Sequence, residues 1–254
     1  MAQNPSGDEA LLMLHGWCAD SGQFARLIPL LGARCIAPDF RGHGRRRPAT
    51  TDFGEAELVE DALAAADAAG AERFTVVAVA HAGWVALELA RRVPKRVRGV
   101  VLLSWLVLDP PPPFLAALQQ LQDADAWQAA RDGLFAMWTQ GVADDGMRGY
   151  VHDVMGAHGF EDWARGGREI ASAYARNGRP LDAFGALPNP PRTLHLYAQP
   201  PLPEYLAAQQ EFAALHPWFS VQRIDGAAGH FPGMEVPELT AASINAFVAA
   251  PVAS

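Results

Sequence analysis

Phe74 to Ala90 reads FTVVAVAHAGWVALELA. An unbroken apolar run passes through small residues into apolar positions at helical spacing, which predicts a buried strand, an abrupt turn and a helix. That is the outline of a nucleophile elbow, the corner on which a G-x-S-x-G sequence presents its serine. Here the corresponding residues are Ala78-Val79-Ala80-His81-Ala82, so a methyl group stands where the attacking hydroxyl belongs. The elbow displays one side chain upward, and His81 is therefore expected to point elsewhere.

On either side of this corner the same rhythm repeats. Upstream, Ala10 to Leu14 is a short apolar run that ends at His15-Gly16-Trp17-Cys18, a strand delivering its C-terminal end into a glycine-containing loop. A helix over Gln23 to Leu31, a strand over Arg34 to Ala37, the turn Pro38-Asp39-Phe40-Arg41-Gly42-His43-Gly44 and a helix over Glu55 to Ala69 lead up to the elbow strand. In that turn Asp39, Arg41 and His43 read as loop-bracing groups. Downstream, Val97 to Leu103 is a further strand, and Pro110 to Pro113 must turn the chain out of the sheet. Strands at Thr193 to Tyr197 and Phe219 to Ile224, with helices near Leu206 to Leu215 and over Pro237 to Ala249, complete the pattern. The alternation predicts an α/β fold with a mostly parallel, doubly wound sheet.

Between the proline run and Leu187 the strand-helix alternation stops, and the segment reads as several helices rich in large aromatics, among them Trp127, Phe135, Trp138, Tyr150, Trp163 and Tyr174. The expected organisation is a core of residues 1–113 and 188–254 with a helical cap of 114–187 inserted over the strand ends. Asp225 to Pro232 is a glycine-rich loop after the last strand and carries His230, the strongest functional candidate among the eight histidines.

Composition narrows the chemistry. A chain of 254 residues with a net charge of −8 has no general attraction for nucleic acid or an anionic membrane. No uninterrupted apolar stretch is long enough to span a bilayer. The first ten residues, MAQNPSGDEA, lack the features of a secretory leader. Cys18 and Cys35 form no metal-ligand spacing and are expected to be buried free thiols. The expected compartment is a reducing cytoplasm, the expected ligand a small aromatic molecule, and no metal or other cofactor is called for.

A hydrolase needs a nucleophile, a base, an orienting acid and an oxyanion hole. Ala80 removes the first. The oxyanion hole uses backbone N–H groups, those of His81 and of the loop at Gly16-Trp17, and survives. What remains is an anion-stabilising pocket and a base, His230. That set suits deprotonating a substrate and holding its anion better than it suits ester hydrolysis.

The segments Gly16-Trp17-Cys18, Arg41 to Gly44, Gly83-Trp84-Val85, Ser104-Trp105-Leu106, Gly133 to Trp138, Ala173 to Pro180, Pro203 to Tyr205, His216 to Ser220 and His230-Phe231-Pro232 occur in order along nearly the whole chain. In these the sequence resembles the cofactor-independent 2,4-dioxygenases of 3-hydroxy-4(1H)-quinolones, which are built on the α/β-hydrolase fold. The resemblance implies that His230 removes the proton of a substrate 3-hydroxyl, and that the anion reacts directly with O2 as the ring opens with loss of carbon monoxide. It also implies that the N–H groups of Trp17 and His81 hold the oxyanion, that Ala80 and Ser104 border the substrate, and that Trp138 and Trp163 enclose its rings.

This chain departs from the family's pattern at four places. The elbow serine is Ala80, the histidine before it is Val79, and a third family histidine is Ala19. The aspartate that orients the base is Ser104, leaving Asp109 and Asp225 as candidate acid partners. Two other readings use the same residues: a base-catalysed cyclisation or isomerisation of an aromatic or polyketide-like substrate without O2, and a non-catalytic aromatic-ligand binder.

Overall fold

The computed structural model describes residues 9–250. Among the described residues six parallel strands form one sheet: β1 (Glu9–Leu14), β2 (Arg34–Ile36), β3 (Arg73–Val79), β4 (Val97–Leu103), β5 (Thr193–Tyr197) and β6 (Phe219–Arg223), in the order β2-β1-β3-β4-β5-β6. The helices are α1 (Glu55–Ala68), α2 (Ala82–Arg92), α3 (Pro112–Gln120), α4 (Trp127–Trp138), α5 (Asp145–Gly149), α6 (Phe160–Asn177), α7 (Pro180–Gly185), α8 (Pro203–Leu215), α9 (Pro232–Glu235) and α10 (Pro237–Ala249).

The central strands lack polar alternation because helices cover both faces of a parallel sheet. In β3 every residue after Arg73 is buried, and β3 runs in register with β1 on one side and β4 on the other. The chain moves outward from β1 to β2 and then returns to β3 on the far side of β1. This reversal opens a crevice at the C-terminal ends of β1 and β3, where open α/β sheets bind their ligands.

One local expectation needs correction. Residues 23 to 31 do not form one α-helix; Ser21–Phe24 and Ile28–Leu30 are separate 3₁₀ turns. Pro29 lacks the N–H that a continuous helix requires and would clash with the preceding turn. The proline run leads the chain out of the sheet as expected, and its last two members, Pro112 and Pro113, begin α3, since the first helical turn leaves its N–H groups unbonded in any case.

Helices α3 to α7, with a π-turn at Tyr150–Val154 and a 3₁₀ turn at Met155–Ala157, lie between β4 and β5 with no strand among them. Helix α6 joins this insertion to the sheet. A Cβ at Gly167 would stand 2.7 Å from the Leu118 carbonyl, and one at Gly166 would stand 3.3 Å from the Trp17 Cβ. Hydrogen at Gly167 lets α6 lie against α3, and the small residue at Gly166 brings it close to the β1 loop. Buried tyrosines add directional ties: Tyr174 donates to the Leu106 carbonyl, and the Tyr150 hydroxyl accepts from the Asp20 N–H. Ion pairs from Arg165 and Arg168 to Asp52 lie at the rim, where such pairs contribute little individually.

The turn after β2 is braced by its own groups and by residues of the β1 loop and α1. Asp39 accepts from the N–H groups of Ser21 and Arg45, Arg41 is bidentate to Asp61, and the His43 Nδ1 meets the Arg41 carbonyl. Cys18 is a buried free thiol, whereas Cys35 is free and only half-buried. Among the described residues no helix is long and apolar enough to cross a membrane.

Candidate functional site

The loops at the ends of β1, β3, β4, β5 and β6 converge on one cavity of about 780 Å³, roofed by α3, α4 and α6. Its walls include Trp17, Ala80, His81, Ser104, Asp109, Trp138, Trp163 and His230, together with Leu118, Leu134, Met137, Met155 and Leu202. This is the size and apolar character of a site for a small organic ligand.

Ala80 stands at the elbow with φ 49°, a left-handed conformation that an L residue adopts only at some cost in energy. The turn is held by the Ala80 N–H donating to the Leu103 carbonyl and the Gly83 N–H donating to the Ala80 carbonyl. Gly16 comes close enough that a Cβ on it would be 3.7 Å from the Ala80 methyl, so the β1 loop abuts the elbow. Among the described residues the N–H groups of Trp17 and His81 donate to no acceptor in the chain. Two unspent donors thus lie on adjoining loops at the crevice. Ala19 and Val79 are both buried, and Ala19 lines the cavity.

The His81 side chain is not directed away from the site. Its ring lies on the cavity wall, parallel to Phe114 at 5.4 Å and edge-on to Tyr174, and its Nδ1 accepts from the Trp105 indole at 3.2 Å. Phe114 and Tyr174 belong to the helical insertion, which packs the ring where it lies.

His230 is held against α4 twice. Its N–H donates to the Trp138 carbonyl at 3.0 Å, and its ring stacks on the Trp138 indole at 5.2 Å. Two residues that sequence reasoning missed hold the loop: Glu235 accepts from the N–H groups of Ala228 and Gly229, and Gln199 donates to the carbonyls of both Ala228 and Met137. Glu235 lies five residues past His230 at the C-terminal end of a four-residue helix, a position that carried no recognisable motif. Gly229 has its own requirement, since a Cβ there would press into Val142, Met147 and the Trp138 carbonyl.

Burial pushes the His230 imidazole down to about 4, and burial together with the nearby His230 pushes His81 down to about 3. Both rings are neutral at neutral pH. Neither proposed acid reaches His230. Asp109 borders the cavity but is 79% exposed and faces Arg179 at 3.6 Å; Asp225 is 87% exposed, lies outside the cavity wall and pairs with Arg223. Both carboxylates sit in loops where water and arginine satisfy them more cheaply than a buried ring would. Ser104 is 3% exposed with φ 51°, and its Oγ has no hydrogen-bond partner. The Trp163 indole N–H is likewise buried and unpartnered, and both residues border the cavity. Unsatisfied buried polar atoms are costly, and these two lie on residues that border the cavity. Among the described residues no group of three or more His, Cys, Asp or Glu side chains is arranged to hold a metal ion.

Residues 9–141 match the family described as alpha/beta hydrolase fold. The chain is 39% identical over 232 residues to the 2-heptyl-3-hydroxy-4(1H)-quinolone dioxygenase of Mycobacteroides abscessus, covering 90% of this chain and 86% of that protein. It is 34% identical over 260 residues to the 1H-3-hydroxy-4-oxoquinoline 2,4-dioxygenase of Pseudomonas putida, covering 98% and 96%. A solved structure of an AqdC variant in complex with its substrate, from work on ring cleavage of the Pseudomonas quinolone signal, superposes with a TM-score of 0.91 at 36% identity, covering 96% of this chain and 92% of that one.

Proposed function

The chain belongs to the 3-hydroxy-4-quinolone 2,4-dioxygenases of the α/β-hydrolase fold, and we propose that it cleaves the nitrogen ring of a 2-alkyl-3-hydroxy-4(1H)-quinolone with O2 and without a cofactor. The observation that carries this reading is His230: a neutral imidazole on the wall of a large apolar cavity, stacked on Trp138, with no hydrogen-bond partner for its ring in the chain among the described residues.

In this reading His230 accepts the proton of the 3-hydroxyl. The N–H groups of Trp17 and His81 receive the oxyanion, and Trp138 and Trp163 flank the bicyclic ring. Ala80 contributes only its small size, which leaves the substrate room above the elbow. Leu118, Leu134, Met137 and Leu202 supply apolar surface for an alkyl tail. The anion attacks O2 directly; C3 leaves as carbon monoxide, C2 becomes an amide carbonyl on the nitrogen, and C4 becomes a carboxylate, so both oxygen atoms are accounted for. Helices α3 to α7 act as the cap that keeps water from the anion. The unpaired state of Cys18 and Cys35 fits a reducing, cytoplasmic setting.

The absence of an acid beside His230 defines the competing outcomes. Incubation with a series of 2-alkyl-3-hydroxy-4(1H)-quinolones, aerobically and anaerobically, is expected to consume one O2 and release one CO per substrate in air and to give no turnover without it. Turnover under argon would instead indicate an isomerase or cyclase. Tight binding with no product in either atmosphere would make the protein a ligand binder.

A further inference from the structure

Resting on that reading, we propose that the imidazole of His81 is itself a substrate-binding group: its Nε2–H is a neutral donor to the substrate anion, in a tautomer imposed by Trp105. His81 then acts at the site through two atoms, a backbone N–H and a ring N–H.

The tautomer follows from the partner. An indole nitrogen can only donate, so the Trp105 Nε1–H directed at the His81 Nδ1 requires that nitrogen to carry the lone pair and puts the proton on Nε2. Nε2 has no partner in the chain among the described residues, and the ring borders the cavity. Phe114 and Tyr174 hold the ring plane, one parallel to it and one edge-on.

Trp105 is held as firmly as the ring it locks. It is buried, its indole meets Trp84 edge-on at 4.8 Å, and its carbonyl accepts from the Tyr205 hydroxyl. Any side chain at Gly83 would overlap the Trp105 ring, so the glycine of Gly83-Trp84 is what lets the indole reach across the first turn of α2. Gly83, Trp105 and His81 therefore form one device. A second proton on His81 would oppose the Trp105 N–H and is further disfavoured by burial and by His230 nearby. His81 is thereby kept from competing with His230 as a base.

The device answers a specific deficit. With Ser104 in the acid position, no carboxylate among the described residues pairs with His230 to support its imidazolium once it forms, and stabilisation must come from donors facing the anion. A neutral, pre-oriented N–H in a dry cavity is such a donor and needs no reorganisation as charge develops.

Nitrogen-15 NMR of histidine-labelled protein tests the lock without ligand. The expected His81 pattern is a bare Nδ1 and a protonated Nε2, converting in Trp105→Phe to a mixture of tautomers; a protonated Nδ1 in the unmodified protein overturns the proposal. Addition of a 2-alkyl-3-hydroxy-4(1H)-quinolone under argon is expected to shift the Nε2–H signal, and His81→Phe, which keeps the ring stack, is expected to bind about tenfold or more weakly. An unmoved Nε2–H, or equal affinity in His81→Phe, overturns the donor role; if that variant fails to fold, the chemical shift alone decides. A wild-type protein that binds no quinolone sinks the proposed function and the donor role together, and is distinguished from a failed lock by the ligand-free spectrum.

Discussion

Two neighbouring corners of the sheet share a backbone and differ in what they have kept. Strand β3 is followed by Ala80 with φ 49°, and β4 by Ser104 with φ 51°, each a left-handed residue that is not glycine. Such conformations persist only where the surroundings impose them, and both residues border the same cavity. At Ala80 the groups that the proposed function uses are backbone N–H donors, which a change of side chain leaves in place. At Ser104 the useful group would be a carboxylate, which only the side chain can supply. Substitution at a corner is therefore nearly silent when the chemistry resides in the main chain, and costly when it resides in a charge.

The comparison can be strained from both sides. The largest effect is expected at the base: His230→Ala should lower kcat/KM for ring cleavage by about a hundredfold to ten-thousandfold. Oxygen uptake that survives this change would mean the two corners act without a base. Next comes Ser104→Asp, which puts the missing charge back at the β4 corner. His230 works unprotonated, so with a pKa of about 4 its activity should fall only as the pH drops towards 4; a carboxylate nearby would raise that pKa and move the acid limb of kcat/KM upward. Turnover at neutral pH should rise by about a hundredfold or more, since disabling the acid of a catalytic triad costs about ten-thousandfold. An unchanged pH profile would show that this corner never served the base.

Gly83→Ala tests the packing behind the β3 corner. The added methyl collides with Trp105 and should cost about 1–3 kcal/mol in urea denaturation. The smallest effect belongs to Ala80→Ser, which should change kcat/KM by about threefold at most because none of the proposed donors to the anion is the side chain at position 80. A tenfold change would show that the apex side chain matters after all.

The fold was legible wherever one residue type spoke for both faces of an element. Val97–Leu103 and Thr193–Tyr197 are strands with the bounds that their apolar runs suggested, because a strand buried on both sides has no reason to alternate. The helix expected over residues 23 to 31 failed on one residue, Pro29, whose ring outweighs the propensity of its neighbours. In the site, Gly229-His230-Phe231-Pro232 stood out by its chemistry, yet the groups that steady it, Gln199 and Glu235, left no signal, since their partners are backbone atoms distant in sequence or shielded by a turn.

By itself the sequence determined the parallel sheet, the empty elbow at Ala80, the histidine after the last strand and the helical interruption between β4 and β5, each a property of local patterning. Only the tertiary structure decided that Asp109 and Asp225 are given over to arginine and water, that the Ser104 hydroxyl is buried without a partner, and that the His81 ring faces the ligand cavity. Those outcomes depend on which distant helices press on a given side chain and on how much water they leave beside it. Neither quantity is written in the spacing of residues along the chain.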